Sequence, residues 1–146
     1  VIFASPRTVS ILRFPNASFV DARPDLETVR DTVRSYAELH EDWDTYGGRP
    51  TTATAVNSAL AVLEGLSSRR GHMPSVALLP FHTAPLSNGG LQLEWRNGRD
   101  ALEVEIGSDG SLNALFDRRS ATLRFEEHEG LSLEDTLSLL KDFLSV

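Results

Sequence analysis

The chain contains no cysteine. Disulfides and thiolate metal sites are thereby excluded, and a reducing cytosol becomes the default compartment. Lysine is almost as scarce: Lys141 is the only one, so arginine carries nearly all of the basic charge. The 14 basic residues face 21 acidic ones, a net charge of −7. That balance argues against general nucleic-acid binding, which needs a cationic footprint to displace counterions from phosphate. It also opposes adsorption to an anionic membrane. No apolar run approaches the ~20 residues of a membrane-spanning helix. The opening Val1-Ile2-Phe3-Ala4 has neither the basic start nor the length of a signal peptide. With no initiator Met, the start reads as processed or trimmed. Catalytic signatures are missing too: there is no Gly-x-Ser-x-Gly, Walker or Gly-x-Gly-x-x-Gly pattern. His40, His72, His82 and His128 show no His-x-His or i, i+4 spacing of the kind zinc sites use.

What is present fits one ordinary globular domain. A chain of 146 residues with 40% hydrophobic and 24% charged content can bury a core without staples. Residues 1–23 read as an N-terminal strand and lead-in, with alternation over Thr8–Phe14 and a further extended piece at Phe19-Val20. Asn16-Ala17-Ser18 is formally a glycosylation sequon, without meaning unless the chain is secreted. Residues 24–74 read as helix, corner, helix. Asp25 follows Pro24 as start chemistry, and Leu26, Val29, Val33, Tyr36 or Ala37, and His40 or Leu39 recur at helical spacing, predicting a helix over 25–41. Val56, Ala59, Leu60, Leu63 and Leu66 predict a second over 52–67.

Residues 75–126 read as antiparallel sheet. Val76–Pro80 is a short apolar run that suggests an edge strand, and His82–Asn88 reads as irregular. Beyond it the alternation is clear. Leu91, Leu93 and Trp95, then Leu102, Val104 and Ile106, then Leu112, Ala114 and Phe116, and last Ala121, Leu123 and Phe125 fall on one face. Asn97-Gly98, Ser108-Asp109-Gly110 and Asp117–Ser120 supply the turns. Ser132 begins a helix over 131–146, with Leu133, Leu137, Leu140 and Leu144 as its buried stripe and Phe143 beside it. The expected fold is α+β: a two-layer sandwich in which an antiparallel meander of four or five strands is covered on one face by about three helices.

The link Glu41-Asp42-Trp43-Asp44-Thr45-Tyr46-Gly47-Gly48-Arg49-Pro50 organises the first half. Two of the protein's four Trp and Tyr residues sit in it. Gly47 and Gly48 can end the first helix in a left-handed cap, and Pro50 suits the approach to an N-cap at Thr51 or Thr52. Large aromatics in such a link plug the gap where helices diverge, so Trp43 and Tyr46 are expected to be buried.

The corner, the Ala-rich helix after it, Gly89-Gly90-Leu91-Gln92-Leu93-Glu94-Trp95 and Leu102–Gly110 together resemble a group of small uncharacterised bacterial proteins. There the corner runs Asn-Trp-Asp-Gly-Tyr-Gly-Ala-x-Pro and a Gly-Gly-x-Gln-Leu-Glu-Trp strand follows. The resemblance covers about Leu39 to Leu115. Asp42 stands where that group has Asn, Thr45 where it has Gly, and Gly48 where it has Ala. The resemblance implies a shared fold and carries no activity.

Carboxylates form the only chemically suggestive clusters. Asp42 and Asp44 could hold a hard cation through oxygen, or could cap the turn they sit in. Glu94, Glu103 and Glu105 project from one exposed sheet face, where they could share a proton or a metal, or simply be solvated. Arg69-Arg70 and Arg118-Arg119 read as surface pairs. The first functional expectation is a binding or accessory protein of bacterial or phage origin, non-enzymatic and without a cofactor. It would engage a protein partner through the acidic sheet face or the Trp43–Tyr46 corner, immunity- or antitoxin-like by charge and size. The alternatives are a metal-assisted hydrolase built on Asp42, Asp44 and His40, and a small-molecule sensor with a pocket near Trp43 and Tyr46.

Overall fold

The computed structural model describes residues 25–71 and 75–145. The expected strand at Thr8–Phe14, the Phe19-Val20 piece and the sequon lie outside them. The described residues form three α-helices and one five-stranded antiparallel sheet whose strand order follows the chain. Helix α1 is Leu26–Ser35, α2 is Ala53–Ser68 and α3 is Leu133–Leu144. The strands are β1 (His82–Pro85), β2 (Leu91–Asn97), β3 (Asp100–Ile106), β4 (Leu112–Asp117) and β5 (Phe125–Leu131). No helix among the described residues is long and apolar enough to cross a membrane.

Each helix starts on a side-chain cap that satisfies an otherwise orphaned N–H. Asp25, Thr52 and Ser132 accept from the amides of Thr28, Ala55 and Asp135 at 2.8, 3.0 and 3.0 Å. Helix α1 stops sooner than its apolar spacing predicts. It tightens into a 3-10 turn over Tyr36–Glu38, and the Tyr36 carbonyl accepts the Thr51 N–H at 3.2 Å. Of the two residues offered for the end of the stripe, Leu39 packs partly buried against the core, while His40 lies beyond the turn and is exposed.

The helices cover one sheet face. There Leu91, Leu93, Trp95, Leu102, Val104, Ile106, Leu112, Ala114 and Phe116 are all buried. They meet Ala59, Val62, Leu63 and Leu66 of α2 and Leu137, Leu140 and Phe143 of α3 in a single core. Leu60 is only partly buried, because Val62 takes that place on α2. Helix α1 packs on α2 through Val29 and Val33, and Arg30 pairs with Glu64 across the two. Arg69 clamps Glu134 with both carboxylate oxygens at 3.0 and 2.9 Å, joining α2 to the start of α3.

Two strand expectations fail. The 75–78 segment is a 3-10 turn, and the fifth strand forms instead at His82–Pro85. Leu78 is buried, and its carbonyl accepts the Trp95 indole N–H at 2.8 Å, so the apolar run serves the core from outside the sheet. The Phe81 N–H then opens β1 by donating to Glu94 O at 2.7 Å. The last strand begins at Phe125 and not at Ala121, so Leu123 and Phe125 are 70% and 57% exposed. Charge pairing decides this. Asp117 takes Arg124 at 2.7 Å, and Asp100 takes the Ser120 hydroxyl and amide at 2.6 and 3.0 Å. These contacts hold 118–124 as a loop and deliver Glu126 and His128 to the covered side, where His128 stands edge-on to Phe116.

Candidate functional site

The corner is a closed loop that its own acids hold together. Asp42 donates its N–H to Gly48 O at 2.7 Å, and its carboxylate accepts the Gly47 N–H at 2.6 Å. One oxygen of Asp44 accepts from both Tyr46 N and Gly48 N, at 2.9 and 2.7 Å. These backbone donors, Tyr46 first, hold the Asp44 carboxyl below its ordinary range. A Cβ on Gly48 would sit 2.6 Å from the Asp44 carboxylate carbon, so only glycine lets the acid reach its donors. Asp42 and Thr45 both have positive φ, 63° and 64°. In Thr45, a β-branched residue, that conformation is strained.

The aromatic plug is not formed as expected. Tyr46 is 79% exposed, and Trp43 is half-buried with its indole N–H donating to Arg49 O at 2.8 Å. The loop spends its hydrogen bonds on itself, which leaves Tyr46 at the tip with nothing to fold back on. After the loop, the chain is stitched to two hairpin turns. Thr51 Oγ1 donates to Gly90 O at 3.2 Å, and Thr52 Oγ1 to Ser108 O at 2.6 Å. A cleft of about 370 Å³ lies along this seam, lined by Glu41, Arg49, Pro50, Thr51, Thr52, Asn88, Gly89 and Ser108. Trp43 and Tyr46 do not line it. The residues suggested for a metal site do not converge either. The Asp42 and Asp44 oxygens above serve the backbone, and His40 Nδ1 lies 3.4 Å from the Glu41 carbonyl oxygen. Among the described residues no group of three His, Asp or Glu side chains could share a metal ion.

The open face of the sheet gathers the other candidates. Register places Glu94 opposite Glu103, Glu103 opposite Leu115, and Leu115 opposite Glu127. The next row sets Gln92 opposite Glu105, and Glu105 opposite Asn113. Like charges directly opposite destabilise a sheet. Two contacts offset the Glu94–Glu103 pair: Arg96 Nε reaches Glu94 at 3.0 Å, and Gln92 Nε2 donates to Glu103 at 3.1 Å. Glu103, Glu105, Asn113, Leu115, Glu127 and Glu129 surround a shallow depression of about 270 Å³. Glu127 and Glu129 escaped the sequence reading because 125–131 does not alternate apolar with polar. The acid run Glu126-Glu127-His128-Glu129 was the available signal, once taken as an edge strand.

At the turn end of the same face the charges balance. Arg96, Arg99 and Arg119 share a second depression, of about 310 Å³, with Glu94, Asp100 and Asp117. Arg124 first, then Arg119, holds the Asp117 carboxyl low. On the covered side of β5, Glu126 is held low chiefly by its 2.6 Å hydrogen bond with His128, and Arg118 adds to this.

Fold and site together define a small α+β domain with helices on one sheet face and a carboxylate-rich open face on the other. Compared with protein-family models, curated proteins and solved structures, the chain has no match in any of the three.

Proposed function

We propose that this chain works by binding, presenting the acidic open face of its sheet to a basic protein partner. One observation carries the reading: among the described residues Glu105, Glu127 and Glu129 border one depression and have no ion-pair partner. Elsewhere on the same sheet Glu94, Asp117 and Glu126 are each paired with an arginine, so the depression stands out within the sheet. A cationic partner relieves the like-charge repulsion built into the register and is steered to the face by its field. Tyr46 offers a second contact, since a rigid exposed aromatic is the kind of side chain that anchors interfaces.

Affinity capture from the source cell tests the proposal, with wild type and a Glu103→Gln/Glu105→Gln/Glu127→Gln variant as parallel baits. The expected result is a basic protein retained by the wild type and lost by the variant. Its association rate with the wild type should fall steeply between low and physiological salt. The variant should melt no lower than the wild type. The same proteins on both baits, or a salt-independent association rate, would overturn the reading.

A further inference from the structure

We infer that the outer edge of β5 is a strand-pairing site for an extended basic segment of that partner. The inference rests on the function proposed above and goes further, naming the geometry of contact. Among the described residues β5 is the last strand of the sheet, and no strand pairs with its outer edge. Arg118 N–H donates to Arg124 O at 2.6 Å, at the start of the β4–β5 ladder. Antiparallel alternation then turns the backbone groups of Glu126 and His128 toward β4, and those of Phe125 and Glu127 outward. The opposite edge offers less: β1 is four residues long, against seven for β5, and its Ala84 and Pro85 are buried.

The side chains select the occupant. Phe125, Glu127 and Glu129 follow one another on the open side of β5 and are all exposed. A strand laid antiparallel along this edge would meet them with an apolar residue opposite Phe125 and basic residues opposite Glu127 and Glu129. A second copy of this chain does not fit, because antiparallel self-pairing sets glutamates against glutamates. Acidic charge on the edge thus blocks self-association while leaving the backbone open to a cationic strand. At Glu129 and Gly130 the register with β4 shifts through a bulge, with Gly130 at φ +62°, before Leu131 pairs with Leu112.

The test uses a fluorescein-labelled peptide that alternates arginine with threonine and ends in valine. Its companion has the same charge, with proline replacing alternate threonines so that it cannot pair by its backbone. The first peptide should bind by anisotropy and slow amide exchange at Phe125 and Glu127. The proline peptide should bind at least about tenfold more weakly, because it forms no ladder. A Glu127→Gln/Glu129→Gln variant should weaken the first peptide about five- to tenfold, the sum of two exposed ion pairs. Equal binding of both peptides without protection of β5 overturns strand pairing and leaves attraction by the open face standing. Failure of both peptides to bind overturns the proposed function with it.

Discussion

Tyr36 and Thr83 fasten the helical layer to the β1 edge through one buried contact. Their hydroxyl oxygens lie 2.5 Å apart, with Tyr36 3% and Thr83 0% exposed. Tyr36→Phe keeps the ring and strips the Thr83 hydroxyl of this partner in a site that water does not reach. A buried hydroxyl left so costs about 1–3 kcal/mol. For a domain of this size that is a fall of roughly 2–10 °C in Tm. Thr83→Val keeps the side-chain shape and should cost a similar amount. In the double variant neither oxygen of the pair remains, so its cost should fall short of the sum by about 1–2 kcal/mol. Urea unfolding of the four proteins measures the coupling. Amide exchange at Thr51 should also quicken in Tyr36→Phe, because the Thr51 N–H is held by the Tyr36 carbonyl. Strict additivity, or a Tyr36→Phe protein as stable as wild type, would refute the pairing.

Thr45→Gly should stabilise the domain by about 0.5–1 kcal/mol, since glycine relieves the left-handed strain and gives up only the exposed bond to Asp44 O; a loss of stability in chemical denaturation would count against the loop geometry. Asp25, Asp44, Asp100, Asp109, Asp117 and Glu126 all have lowered carboxyl pKa values in the fold. Their contribution is present above the ordinary aspartate value of ~3.9 and is lost as pH falls through the lowered values. The Tm should therefore hold steady from neutrality to mildly acidic pH and decline below that value, and a rise on acidification would contradict the assignment. In single-tryptophan variants, Trp95 (left by Trp43→Phe) should resist acrylamide, being buried and bonded to Leu78 O. Trp43 (left by Trp95→Phe) should be quenched readily, and equal quenching of the two would contradict their placement.

The strands β2 to β4 were legible because each buries one face only. A period of two is then forced, and Leu93, Val104 and Ala114 fall inside while Glu94, Glu103 and Glu105 fall outside. The caps at Asp25, Thr52 and Ser132 were equally local, since each serves amides within one turn of itself. The α+β class followed from the same periodicities. Part of the candidate site could be read in the same way, because Glu94, Glu103 and Glu105 share a face as soon as the register is set.

The edges and the corner were decided by contacts between residues far apart in the chain. At β1 a polar Thr83 goes inside because Tyr36 supplies its hydrogen-bond partner from 47 residues away. Strand β5 shows no apolar alternation, since its covered side carries Glu126 and His128, with Glu126 paired to both His128 and Arg118. Glu127 and Glu129 joined the acidic face only through that pairing register. At the corner, Asp42 and Asp44 satisfied the loop's own backbone, which set Tyr46 in solvent where aromatic content alone had implied burial. Hydrophobic period is a property of neighbouring residues and so is written in the sequence. Which polar groups meet, and which aromatic then has a surface to cover, is settled only when distant segments arrive.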